Sequence, residues 1–305
     1  MLRRLKPAKK DYIWGGRRLA AEFGKGSENE KIAETWELSC HPDGPSILDN
    51  GQSLKDFLKD HPEAGGSRLA AYKEFPVLVK LIDAGDNLSV QVHPDDAYAR
   101  AHEGQAGKEE MWYVVDAAED AVLYIGLKEK MSPEAFDEAI KEEKLLDHLN
   151  AVKVRAGEHY FIPAGTLHAI GKGCLLAEVQ QSSNVTYRVY DYGRRDAWGR
   201  KRPLHIEQAK EVCSLEKAEF PKQKPSGCLA EGKSFLVDLI KVKGEAELSA
   251  DEESFSHLLL VKGKLQLEDA GKTSEAKPGD GFFFPARGGR IRLKGEGDIL
   301  RTRLP

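Results

Sequence analysis

Apolar residues in this chain come in short runs or alternate with polar ones, and Gly, Pro, Asn and Asp interrupt them every few positions. The segments 75–82, 88–93, 111–115, 122–125 and 174–180 have the length and composition of strands. No regular strand–helix alternation separates them, so the pattern predicts a mainly β protein built of sandwiches. Helices are few. The clearest opens at Ser132, Pro133 and Glu134: a cap residue, a proline suited to the first helical position, then first-turn acid. Phe136, Ile140, Leu145 and Leu149 keep helical spacing, which predicts a helical insertion over about 133–149. Shorter helices are expected at 53–60, after His93-Pro94-Asp95-Asp96, and near 203–212.

The stretch 221–227 is polar, with two prolines and a glycine, and reads as a linker. It divides the chain into a larger unit, 1–220, and a smaller one, 221–305. Beyond it the text is strand-like again at 234–240, 257–261, 264–267 and 282–285. Pro278-Gly279-Asp280 followed by 282–286 echoes Ala156-Gly157-Glu158 followed by 160–164. The tail therefore looks like a second copy of the first β unit, one that brings Gly289 and Arg290 where the first brings His168. A copy of that kind is expected to be a metal-free packing partner.

Composition narrows the field without choosing a function. The 305 residues are 40% hydrophobic and 31% charged, with a formal net charge of −4, so no basic excess points to nucleic acid. Cys40, Cys174, Cys213 and Cys228 form no C-x-x-C pair, which argues against a disulfide framework or a thiolate zinc site. The basic N-terminus leads into no apolar region, and no apolar run has membrane-spanning length. A cytoplasmic protein with no membrane or nucleic-acid partner is expected, as a monomer or homodimer.

Two stretches carry the chemistry. Gly85 is followed by Gln91-Val92-His93, and Gly157 by Pro163-Ala164-Gly165-Thr166-Leu167-His168. Successive strand residues point to opposite faces, so Gln91 and His93 look the same way. The Pro-x-Gly corner delivers His168 to one spot. With a carboxylate from Glu109 or Glu110, only one of which can face inward, these residues form a mixed nitrogen and oxygen set for a divalent metal, zinc first. His159 precedes the corner and points elsewhere; His41, His61, His102, His148, His205 and His257 are read as ordinary polar residues.

The spacing Gly-x5-Gln-x-His, then Gly-x5-Pro-x-Gly-x2-His, resembles the paired cupin motifs with Gln in place of the usual first His. In the setting of Leu88-Ser-Val-Gln-Val-His-Pro-Asp-Asp96 it resembles type I mannose-6-phosphate isomerases of the short bacterial form. Ile13-Trp-Gly-Gly16, Glu34-Thr-Trp-Glu-Leu-Ser39, Lys108-Glu-Glu-Met-Trp-Tyr113 and Asn184-Val-Thr-Tyr-Arg-Val-Tyr-Asp-Tyr192 add to the likeness, which spans about 10–210. The resemblance implies a double cupin of two jelly-roll β-sandwich barrels. It implies one zinc held by Gln91, His93, Glu110 and His168, and interconversion of mannose 6-phosphate and fructose 6-phosphate through an enediolate. Lys108 matches a lysine proposed to act in catalysis, Arg188 an arginine beside the substrate, and Glu178 falls near the pocket. Two departures stand out: Gly107 replaces a His found in longer members, and Asn184 an Asp.

Such a reaction needs a base for the carbon-bound proton and charge to stabilise the enediolate. Lys108 and Glu178 are the candidate bases, and Arg188 the candidate stabiliser. Ser89, on the Gln91 face, and Lys80 in the preceding strand offer a hydroxyl and an ammonium to the phosphate of the sugar. The basic run 194–202 is read as a solvated connection, and Trp14, Glu34 and Trp36 are assigned no step. The rival readings are a metal-dependent cupin oxygenase and a non-catalytic sugar-phosphate binding protein.

Overall fold

The computed structural model describes residues 1–195, 199–220 and 223–305. Part of the basic run, 196–198, and Pro221 and Lys222, where the linker was expected to begin, lie outside the described residues. The front half is a sandwich of two antiparallel sheets. One has six strands in the spatial order His159–Ile162, Glu110–Ala117, Cys174–Gln181, Val77–Asp83, Glu34–Leu38, Ala8–Lys10. The other has five: Tyr187–Tyr190, Val90–Val92, His168–Ile170, Val122–Leu127, Leu149–Lys153.

The six-stranded sheet is covered on both sides. Every residue of Val77–Asp83 and of Cys174–Gln181 is buried, which is why these strands read as nearly unbroken apolar text. Ile82, Trp112, Val114 and Leu176 fill the space between the two front sheets. Val77, Val79, Leu81, Met111 and Val179 face the other way, into a core shared with Phe235, Phe255, Phe283 and Leu300 of the rear half. Each such side chain adds roughly 1.5–3 kcal/mol on burial, so the rear unit is bound to the front one by an extensive apolar contact.

That rear unit is a single eight-stranded sheet folded over its own core of Val242, Leu260, Phe282 and Ile299. Its long strands Leu236–Ser249, Ser256–Asp269 and Arg290–Arg303 bend where Gly244 pairs with Gly295 and Gly263 with Gly297. A Cβ at Gly263, whose φ is +84°, would meet the Glu296 carbonyl oxygen at 2.1 Å. The segments 257–261 and 264–267, read as separate strands from sequence, are thus two arms of one bent strand. Two strands from the start of the chain, Arg3–Lys6 and Ile47–Leu48, complete the sheet, with Leu5 opposite both Gly281 and Leu48.

The helical insertion at 133–149 is two helices, Pro133–Lys141 and Leu145–His148, with Leu149 already in a strand. Ser132 caps the first as expected, its hydroxyl accepting from the Ala135 amide at 3.2 Å, but Glu143 turns left-handed at φ +57° and breaks the run. The helix expected from 203 begins at Ile206. Among the described residues no helix is long and apolar enough to cross a membrane.

Candidate metal centre and substrate pocket

Strand register assembles the site from two facing rows. In the six-stranded sheet Tyr160, Trp112, Glu178, Lys80 and Trp36 are successive direct partners. In the five-stranded sheet Ile125, His168, Gln91 and Arg188 are. The rows meet at one end of the sandwich, where the Trp112 and His168 rings stand edge to face at 5.3 Å. Lys80, Ser89, Gln91, Lys108, Glu178 and Arg188 all line one cavity of about 300 Å³.

Behind Gln91 and Lys108, the ligand atoms of His93, Glu110 and His168 lie within 4.8 Å of one another, all three residues buried. His168 Nε2 is 3.4 Å from Glu110 Oε1, and His93 Nε2 is 3.5 Å from Glu110 Oε2. Both imidazoles are oriented from behind: His93 Nδ1 donates to the Val185 carbonyl and His168 Nδ1 to that of Thr166, each at 2.9 Å, so the Nε2 lone pairs face inward. Gln91 brings its amide to 3.3 Å from His168 Nε2, and a half-turn of that amide exchanges its nitrogen for its oxygen.

The electrostatics agree. Burial, and after it the Lys108 charge, holds His93 well below the ordinary histidine value; burial chiefly holds His168 down at about 4. Burial, with the Glu178 charge added, pushes Glu110 up to about 7. Neither Glu110 oxygen accepts a hydrogen bond. Two neutral imidazoles around a buried carboxylate whose one charged neighbour within ion-pair distance, among the described residues, is Lys108 is an arrangement that a divalent cation satisfies. The residues present fit such a metal.

Glu110 is the inward residue of its pair. Glu109 turns to the rear unit, where it accepts from the Lys233 amide. Facing away from the site does not leave Glu109 in solvent: it is 7% exposed, because the rear sheet covers that face. Lys108 sits beside the ligands, its Nζ 2.9 Å from His93 Nε2 and 3.1 Å from Glu110 Oε2. Glu178 forms no ion pair with Arg188. It accepts from Trp112 Nε1 at 3.0 Å and pairs with Lys80 at 3.1 Å. Burial would raise it, but Lys80 and Lys108 hold it at about 2. Lys80 also lies 3.6 Å from Glu34. Ser89 immediately precedes the strand Val90–Val92, and its hydroxyl accepts from Arg188 Nε at 3.3 Å.

The same cavity is walled by residues given no role from sequence, Tyr12, Thr186, Arg202 and His205, and by Asn184, already noted as a departure from the family pattern. Trp14 and Glu34 line it too, although no step was assigned to them. The signal for Arg202 was present in the basic run, which resembles a solvated connector until Asp191 is seen to hold it: Arg202 Nε reaches Asp191 Oδ2 at 2.8 Å. His205 accepts from the Arg188 amide at Nδ1, 3.2 Å away, and that pairing across a turn is invisible to spacing.

Comparison with known proteins agrees with this geometry. Residues 2–125 match the profile of the phosphomannose isomerase type I catalytic domain, and residues 229–304 that of the mannose-6-phosphate isomerase cupin domain. The chain is 38% identical to the probable mannose-6-phosphate isomerase GmuF of Bacillus subtilis, over 97% of each protein. It is 46% identical to the mannose-6-phosphate isomerase of Streptococcus mutans, over 67% of this chain and 65% of that protein. The crystal structure of the mannose 6-phosphate isomerase from Bacillus subtilis superposes with a TM-score of 0.90 at 34% identity, covering 99% of both chains.

Proposed function

Because the chain belongs to the type I phosphomannose isomerase family, we infer that this pocket interconverts mannose 6-phosphate and fructose 6-phosphate. The activity is that of a metal-dependent aldose–ketose isomerase. One observation carries the reading: a buried His–Glu–His group lies against Lys108, which with Gln91, Glu178 and Arg188 borders one cavity of about 300 Å³.

Gln91, His93, Glu110 and His168 would hold the metal, and zinc is the ion we assign from the mixed nitrogen and oxygen donors. When bound, such an ion polarises the sugar carbonyl and hydroxyl oxygens. The chain does the rest. Going from aldose to ketose, the C2 proton leaves, an enediolate forms across C1 and C2, and a proton returns to C1 while the hydroxyl protons exchange between O2 and O1. We assign the carbon proton to Lys108, whose Nζ borders the ligand group. Glu178, kept ionised and fixed by Trp112 and Lys80, is the alternative base. Arg188 offers fixed positive charge to the enediolate. Ser89 and Lys80, the pair the sequence pointed to for the phosphate, border the same cavity, but Lys80 is already paired with Glu178 and Glu34. The front sandwich would then carry the chemistry and the rear unit brace its sheet.

The test is a coupled assay for fructose 6-phosphate formed from mannose 6-phosphate, run before chelation, after chelation and after zinc is restored. Activity lost and regained is expected. Metal-replete protein that forms no fructose 6-phosphate would sink the assignment.

A further inference from the structure

The two sides of the pocket differ in charge. On the six-stranded sheet Lys80 is shared between two carboxylates, Glu178 at 3.1 Å and Glu34 at 3.6 Å. Glu34 is itself oriented by the Trp36 indole, which donates to it at 2.8 Å. Lys80 is buried, and its one positive charge faces two negative ones, so this floor has no cation to spare. A sugar phosphate brings about −1.5 to −2 charges at pH 7, and such a group is repelled by a net negative floor.

The opposite wall has the reverse balance. Arg188 has no carboxylate within ion-pair distance among the described residues; its Nε donates to Ser89 Oγ at 3.3 Å and its Nη1 to the Pro203 carbonyl at 3.0 Å. Arg202, also on the cavity wall, pairs with Asp191. Asp191 is shared with Arg194, which also reaches Asp86 at 3.7 Å, so with the unpaired Arg188 three guanidiniums answer two carboxylates among the described residues. His205 accepts the Arg188 amide at Nδ1, which leaves the proton of its neutral ring on Nε2 as a further donor. Planar guanidiniums of this kind suit bidentate recognition of phosphate oxygens.

We propose that the substrate phosphate is received by Arg202 and Arg188 with the Ser89 hydroxyl, and that Lys80 is a positioning residue for Glu178. The proposal rests on the isomerase reading and sharpens it: Arg202 discriminates a phosphorylated sugar from a free one, while Lys80 acts through the carboxylate it holds.

The test uses Arg202→Gln and Lys80→Met in the full chain with metal bound, reading kinetics with mannose 6-phosphate and calorimetric binding of inorganic phosphate. Loss of Arg202 leaves Asp191 paired with Arg194, so the loop keeps its anchor. Arg202→Gln should raise KM and weaken phosphate binding roughly 10- to 100-fold, with kcat within about threefold. Arg202→Lys should recover part of both. Lys80→Met should lower kcat and leave phosphate binding within about twofold. Unchanged phosphate binding in Arg202→Gln, or its loss in Lys80→Met, overturns the proposal. If wild type binds phosphate but forms no fructose 6-phosphate, the isomerase reading fails instead, and the calorimetric arms still decide where the phosphate sits.

Discussion

The front and rear units can be aligned residue by residue through their strand pairings, and they differ where the chemistry lies. In front, His159–Ile162 runs antiparallel to Glu110–Ala117; behind, Gly281–Phe284 runs the same way against Ser256–Asp269. Ile162 faces Glu110, and its counterpart Phe284 faces Ser256. Gly157 and Gly279 make the same left-handed turn, at φ +94° and +90°. Counting on from them, His168 corresponds to Arg290, which pairs with Ser249 as His168 pairs with Gln91. Glutamine, glutamate and the second histidine are thus replaced by Ser249, Ser256 and Arg290. The Glu178–Lys80 pairing becomes Arg301 opposite Asp238. The backbone is retained and these side chains are not, so the sandwich itself does not make the candidate metal site; side chains at fixed register positions do.

The sharpest way to break this comparison is to give the front unit the rear unit's chemistry. His168→Ala should lose both metal and turnover, with activity down on the order of 10³-fold or more, because one of two neutral nitrogens leaves a group that has no spare donor. Metal content and rate are measured together; a variant that keeps full metal and rate would mean the ligands lie elsewhere. Next in size is Lys108→Ala, expected to retain metal while kcat falls roughly 10²- to 10⁴-fold. If kcat survives, the carbon proton belongs to Glu178, and Glu178→Gln should then show the loss.

Much of this contrast was legible in the chain. Gln91, His93 and His168 were set by alternation and by the Pro-x-Gly corner, both local properties that one strand carries alone. The choice between Glu109 and Glu110 was not local: alternation allows either, and only the rear sheet, which takes up Glu109, decides it. Arg202 and His205 were missed for the same reason, since their partners Asp191 and Arg188 are reached across turns. His257 was read as a solitary polar residue, yet its register partner is Phe283, as that of Met111 is Phe161. It therefore holds the outward position of Met111, buried against the front sheet, and is no remnant of the Glu110 ligand.

The shared core gives the third prediction. Phe283 is fully buried, with its ring stacked on Phe255 at 5.4 Å and edge-on to Phe57 at 6.1 Å. Phe283→Ala should cost about 3–5 kcal/mol of stability, read by urea unfolding, while kcat of the folded fraction stays within about twofold. A fall in kcat without loss of stability would mean that the rear unit shapes the pocket directly and does more than brace it.

The smallest expected effect is a pH dependence confined to the rear histidine. His257 is fully buried and neither ring nitrogen has a hydrogen-bond partner; burial, aided by the Lys25 charge, holds it at about 3. Lys25 is paired with Glu37 at 2.8 Å, so no free carboxylate is available to welcome a proton on the ring. Above pH 6.5 the ring is neutral whether the chain is folded or not, and stability does not depend on it. Below that value the unfolded chain takes up a proton that the folded one refuses, and stability falls by about 1.4 kcal/mol per pH unit until the folded value is approached. His257→Met puts the side chain of the front unit's equivalent position there and removes the proton. Whatever packing cost it carries is independent of pH, and Lys25 and Glu37 are common to both proteins. The stability difference between variant and wild type should thus be constant from pH 7 to 9 and shift by roughly 2 kcal/mol in favour of the variant by pH 5. Parallel unfolding curves across that range would mean that the rear histidine accepts its proton in place, and that the interface between the two units is more open to water than its packing indicates.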